Sequence, residues 1–170
     1  MQNKYPSDSV TTLTDLVLPG ETNPLNNLFG GELLARMDRA ASITARRHSR
    51  RICVTASVNH VAFNKAIPLG SVVTVEAKVS RTFSTSMEIF IDVWTEDRES
   101  GIKHKANEAI YTFVAVDETG SPVPVPPIEP QTELEVQRFE AALRRKQLSL
   151  VLAGKMKPSD ATELRALFTT

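Results

Sequence analysis

Only one strongly helical run occurs in the first two-thirds of this 170-residue chain, and four strand-like stretches follow it. Leu33, Leu34, Met37, Ala40, Ala41 and Ile43 fall mainly at spacings of three, four and seven, which describes one buried stripe on a helix from about Gly31 to about His48. Arg46, Arg47, Arg50 and Arg51 mark its end, where cations favour the negative pole of the dipole. A helix with a single apolar stripe can cover one face of one sheet. That restricts the chain to an α+β layer arrangement.

The strand signals are of the antiparallel kind. Val10 to Leu18 can form a short strand before the Pro19-Gly20 turn. Ile52 to Phe63 is rich in Val and Thr, and Val72 to Phe83 alternates Val73, Val75, Ala77 and Val79 against Thr74, Glu76 and Lys78. In Met87 to Glu96, Met87, Ile89, Ile91 and Val93 face one way, while Glu88, Phe90, Asp92 and Trp94 face the other. Lys105 to Val116 supplies the last strand. Phe90, Trp94, Tyr111 and Phe113 place bulk on faces that should be wet, so the second face is expected to be covered by a helix or another subunit. Residues 1–120 form the expected domain. Residues 121–170 form an extension: a proline-rich connector, a charged helix over 131–149 and a short helix within 158–168.

Composition narrows the function classes. Lys plus Arg and Asp plus Glu both number twenty, so there is no global basic field of the nucleic-acid-binding kind. Cys53 is the only cysteine, which rules out an internal disulfide and makes the cytoplasm the expected compartment. No apolar run is long enough for a bilayer, and no membrane partner is expected.

The chemistry-bearing stretch is 23–38. Asn23-Pro24 and Asn26-Asn27 favour a turn, which passes through Phe29-Gly30-Gly31 into the helix. Paired glycines allow close approach of a ligand, and first-turn amides suit a phosphate or a developing oxyanion. The plainer alternative is a tight strand-to-helix joint. Asp38 is a carboxylate within the apolar pattern, either functional or merely solvent-facing.

The order of elements resembles the hotdog fold, an antiparallel sheet of about five strands wrapped around one long helix. Thr22-Asn23, Phe29-Gly30-Gly31 and Met37-Asp38 are similar to the helix entry of the acyl-coenzyme A thioesterases of that fold, in the brain acyl-CoA hydrolase and bacterial short-chain branch. Ser86-Met87-Glu88-Ile89, Asn107-Glu108-Ala109 and Thr112 to Asp117 are similar to its later strands, so the resemblance spans roughly residues 10 to 117.

The resemblance implies a hydrolase of fatty acid metabolism that converts acyl-CoA to a carboxylic acid and free coenzyme A. The thioester carbonyl would be polarised by the N–H of Gly31, with Gly30 shaping the turn beside Phe29. Asp38 would act as general base, or else as nucleophile, with burial between subunits raising its pKa. Asn23 of one subunit would face Asp38 of another and orient water or the thioester. Arg81, Ser84, Thr85 and Ser86 would clamp the coenzyme phosphates, assisted by Lys105 and Asn107, and Phe63 and Val61 would line the acyl tunnel. No metal or other cofactor is expected, since coenzyme A is itself part of substrate and product. A homo-oligomer is implied, a dimer at least and a trimer of dimers in this branch. Two other readings share the fold: an acyl-thioester dehydratase, which needs a His beside the helix entry, and a non-catalytic acyl-CoA sensor, which would lack the helix acid. His48, His60 and His104 sit in unrelated contexts and are expected to pack or face solvent, His60 being the one to line a pocket.

Overall fold

The computed structural model describes residues 2–169. Its elements, in chain order, are β1 (Thr11–Leu16), α1 (Gly30–Ser49), β2 (Ile52–Ala62), β3 (Val72–Thr82), β4 (Ser86–Glu96), β5 (Lys103–Val116), α2 (Glu133–Leu152) and α3 (Thr162–Arg165). The strands form one antiparallel sheet in the order β1-β3-β4-β5-β2, so β1 and β2 are its edges.

The inner face follows directly from alternation. Val73, Val75, Ala77 and Val79 of β3 and Met87, Ile89, Ile91 and Val93 of β4 are buried against Leu33, Met37, Ala40, Ala41 and Ala45 of α1. The three alanines let the helix axis approach the sheet closely. Register across β4 and β5 pairs Ile89 with Tyr111 and Met87 with Phe113, so both rings point inward and are almost fully buried. That differs from the expected wet faces: alternation gives parity within a strand, while pairing sets parity between strands. Ile43 also departs from the expected stripe and is exposed. The buried positions beyond Ala41 go to Thr44, whose hydroxyl donates to the Ala77 carbonyl (3.1 Å), and to Ala45 and His48.

Over β3 and β4 the outer face is covered by α2, as the apolar side chains there anticipate. Its cover is chiefly ionic. Arg138 grips Asp92 with two bonds of 2.8 and 2.9 Å while lying 3.7 Å over the Phe90 ring. Arg145 grips Glu88 likewise, at 3.0 and 2.7 Å, and Ser80 donates to the same carboxylate at 2.6 Å. Ala142, fully buried, gives the helix its close approach. A capping box starts α2: the Glu135 N–H donates to Thr132 Oγ1, and the Thr132 N–H donates to the Glu135 carboxylate. The connector before it is anchored by buried Val125 and Ile128, and the N-terminal segment joins it through Lys4, which pairs with residues 127 and 129.

His48 fastens this connector to the end of α1. Its Nε2 lies 2.8 Å from the Pro126 carbonyl, which can only accept, so Nε2 carries the proton; Nδ1 is buried with no partner among the described residues. Burial depresses the His48 pKa below 6.5, opposed by the Pro126 bond; Lys4 also lowers it and Asp8 raises it. The unfolded chain therefore binds the proton more readily. The contribution of His48 is complete above pH 6.5 and is lost as pH falls towards the depressed folded value. Denaturant unfolding at pH 5 and pH 7.5 should show this loss in the wild type, and His48→Gln should flatten it. Separately, Arg145→Ala leaves the Glu88 carboxylate buried without its cation and should cost about 2 kcal/mol, less than a fully enclosed pair because Arg145 is partly exposed. The double variant Arg145→Leu with Glu88→Leu should recover most of that loss in the same measurement.

Candidate functional site

The segment before α1 is built by Asn23. Its side-chain oxygen accepts from the N–H groups of Leu25 (3.0 Å) and Asn27 (3.2 Å), and its own N–H donates to the Asn27 carbonyl at 2.8 Å. Asn26 turns the chain through a left-handed conformation, φ 58°. The Asn23 amide group, with its oxygen committed to this loop, keeps its NH2 for other partners.

Phe29 occupies the position before the first helical residue, where its side chain offers no cap. The Leu33 N–H reaches back to the Phe29 carbonyl, so the amides of Gly30, Gly31 and Glu32 have no helical partner. These donors sit at the positive pole of a 20-residue helix. Beside them opens a cleft of about 330 Å3 lined by Asn23, Gly30, Phe63, Lys65 and Asn107. Asn107 is nearly fully buried, and its amide brackets the backbone of Lys65, donating to the carbonyl (3.3 Å) and accepting from the N–H (3.4 Å). Phe29 and Phe63, both more than half exposed, flank the two glycines: a methyl on Gly30 would meet Phe63 at 3.6 Å and one on Gly31 would meet Phe29 at 3.1 Å.

Asp38 lies seven residues beyond Gly31 on α1, two turns and about 10 Å along the axis. Thr55, on the edge strand β2, donates to its Oδ1 at 2.8 Å. Beneath it, Tyr111 donates to the Leu34 carbonyl at 3.0 Å, in the turn that carries Asp38. Burial, with the Asp38 charge nearby, pushes the Tyr111 phenol up to about 12, so it remains a donor across the ordinary pH range. Asp38 is half-buried, next to an edge that exposes Ile52, Val54 and Val58.

The structure sorts the expected residues into three places. Asn23, Gly30, Phe63 and Asn107 line the helix-start cleft, with Phe29 and Gly31 at its mouth. Thr85 and Ser86 line a separate hollow on the outer sheet face, and Ser84 is exposed beside it, its carbonyl accepting from the Val125 N–H. Arg81 and Lys105 belong to the packing of the outer face. Arg81 donates to the Phe139 carbonyl and stacks 4.0 Å over that ring, while Lys105 pairs with Asp92 (2.7 Å) and Glu108 (2.6 Å). Asn107 and Ser86 stand opposite Val93 and Val114, seven positions apart along β5 or on the order of 23 Å, so they do not form one clamp. Val61 packs against the core. Sequence reasoning missed Thr55, Lys65 and Tyr111. Thr55 is one threonine in a Thr-rich strand, and only its inward parity and the position of Asp38 distinguish it.

The thioesterase superfamily pattern matches residues 25–102. An uncharacterized acyl-CoA thioester hydrolase of Bacillus subtilis is 40% identical over 144 residues, covering 85% of this chain and 84% of the relative. The crystal structure of a hexameric acyl-CoA thioesterase superposes with a TM-score of 0.86 at 39% identity, over 90% of this chain and 98% of that one. The acyl-CoA hydrolase of Staphylococcus aureus, crystallised with butyryl coenzyme A, coenzyme A and coenzyme A disulfide, gives a TM-score of 0.83 at 31% identity, over 97% and 99% of the two chains. No helix of the described residues is long and apolar enough to cross a membrane.

Neither glycine is demanded by packing. A methyl on Gly30 makes ordinary contact, and one on Gly31 meets only an exposed ring that can give way. Gly30→Ala and Gly31→Ala should therefore unfold within about 1 kcal/mol of wild type, in either direction, as a Gly-to-Ala exchange in a helix does. Denaturant titration checks this. A loss well beyond that range would mean that the glycines serve packing and not access to the amides.

Proposed function

The chain belongs to the thioesterase superfamily, and we propose that it hydrolyses acyl-CoA thioesters to a carboxylic acid and free coenzyme A, at sites shared between two copies. The observation that carries this reading is the pairing, on one face of α1, of open amides at Gly31 with a carboxylate two turns away. Hydrolysis of a thioester needs a donor for the oxyanion and a base for the water, and α1 offers both. Their separation of about 10 Å calls for the donor of one copy and the base of another.

In this mechanism the thioester oxygen accepts from the Gly31 N–H. Asp38, oriented by Thr55, takes a proton from water as the hydroxide oxygen attacks the carbonyl carbon. The tetrahedral oxyanion is stabilised by the amide and the helix dipole. Its collapse breaks the carbon–sulfur bond, and the thiolate leaves with the proton returned by Asp38. Asn23 offers its NH2 to the thioester or the water. The residues supply every proton transfer, so the step needs no cofactor. Asp38 as nucleophile would give an anhydride intermediate instead, and oxygen-18 water in a single turnover tests it: label in Asp38 requires an anhydride opened at the Asp38 carbonyl, whereas a general base leaves Asp38 unlabelled. Phe63, beside the amides, suits a wall of the acyl pocket. A trimer of dimers and a cytoplasmic setting fit this reading, the latter consistent with the lone Cys53, whose thiol pKa is raised by burial.

Thiol release from acyl-CoAs of several chain lengths tests the proposal. Wild type should turn over, and Asp38→Ala should lose about a hundredfold or more in kcat, within the range of a general base. Thr55→Val should lose about tenfold, the value of one hydrogen bond to a charged group. Turnover absent from the wild type on every acyl-CoA, with coenzyme A still bound, would replace hydrolysis with a sensing role.

A further inference from the structure

We propose that α2 supplies the cation that holds the phosphates of coenzyme A, and that Lys146 selects coenzyme A thioesters over thioesters lacking the nucleotide. This rests on the reading of the chain as an acyl-CoA hydrolase.

On the outer sheet face α2 is tied to β3 and β4 through Lys78, Glu88 and Asp92, and it leaves β5 and β2 uncovered. Two adjoining hollows of about 290 and 470 Å3 open there, and both are bounded by Asn59, Ile110, Arg145 and Ser149. Their characters differ. The first is lined by Lys146 and by five hydroxyl residues, Ser57, Thr85, Ser86, Thr112 and Ser149. The second is mainly apolar, with Phe90, Ile110, Leu148 and Leu152 on its walls and His60 and Glu108 at its rim.

Charge accounting assigns the cation. The Glu88 carboxylate in the first hollow is neutralised by the two bonds from Arg145. Among the described residues Lys146 has no carboxylate at ion-pair distance; its ammonium lies 5.2 Å from the Phe83 ring centroid. The hollow thus keeps one uncompensated positive charge. Of its five hydroxyls only Ser57 Oγ is hydrogen-bonded within the described residues, accepting from the Asn59 side-chain amide at 3.2 Å, so all five remain free to donate. Phosphate oxygens only accept, and a lysine among hydroxyl donors is complementary to them. The apolar second hollow and the Phe83 ring suit the uncharged parts of the same molecule. Arg81, the cation that the sequence offers first, has its guanidinium engaged by Phe139.

The test compares an acyl-CoA with the matching acyl-pantetheine. Lys146→Ala should raise KM for the acyl-CoA about tenfold with kcat unchanged, the weight of one charge-assisted contact. It should leave acyl-pantetheine hydrolysis as in wild type, and Lys146→Arg should restore most of the acyl-CoA KM. An unchanged acyl-CoA KM, or an equal loss with both substrates, would overturn the assignment. Calorimetric titration with coenzyme A keeps the two readings apart: a wild type that hydrolyses neither substrate yet binds coenzyme A tenfold better than Lys146→Ala would refute hydrolysis and sustain the phosphate site. Equal affinities would refute the site whatever the activity.

Discussion

The seating of α1 on the inner face of the sheet is the constraint on which the rest depends. Alanines at 40, 41 and 45 bring the helix close, and Leu33 and Met37 fix its rotation. That rotation turns Asp38 towards Thr55 at the edge of β2. It also leaves the helix start, uncapped by Phe29, open beside Asn23 and Asn107. The same apolar contacts that stabilise the domain therefore set the direction of the Asp38 carboxylate and of the open first-turn amides. A helix that rolled by one residue would bury the carboxylate and lose both.

The outer face solves a different problem. Glu88 and Asp92 are carboxylates on a surface with too much apolar bulk to remain bare, and α2 covers both at once by pairing arginines with the acids and laying guanidinium planes on Phe90 and Phe139. Such pairs are costly to desolvate and strongly directional, so they fix the position of α2 more than they add stability. A position fixed in this way holds Lys146 and Ser149 over the uncovered strands β5 and β2. The two helices thus serve the two faces with different chemistry, the Asp38 carboxylate and open amides on one and the hollow beside Lys146 on the other.

Much of this was legible in the sequence, and the limits have physical causes. The single helix, the four strands after it and the stretch from Asn23 to Asp38 are local patterns, and they fall where alternation and helical spacing put them. The inward turn of Tyr111 and Phe113 was hidden because it depends on the pairing of β5 with β4. Ile43 stood in the apolar stripe, yet the buried places went to Thr44, with a carbonyl to bond, and to His48, which holds Pro126. Arg81 read as a phosphate clamp from its serine and threonine neighbours; a distant phenylalanine on α2 claims it. Conversely, the charged helix over 131–149 gave no sign of which acids its arginines would meet, because those partners lie more than forty residues earlier. Thr55 carried no signal of its own.

Mixed assemblies reveal whether each site is shared between two copies. Asn23→Ala and Asp38→Ala chains, each inactive alone, are unfolded together, refolded as a mixture and assayed for thiol release. If one copy supplies Asn23 and the other Asp38, random pairing restores about a quarter of the wild-type activity, since half of the pairs are mixed and each mixed pair holds one intact site. Activity that stays at the level of the separate variants, with mixed assemblies confirmed by mass spectrometry, would mean that each chain builds its site alone.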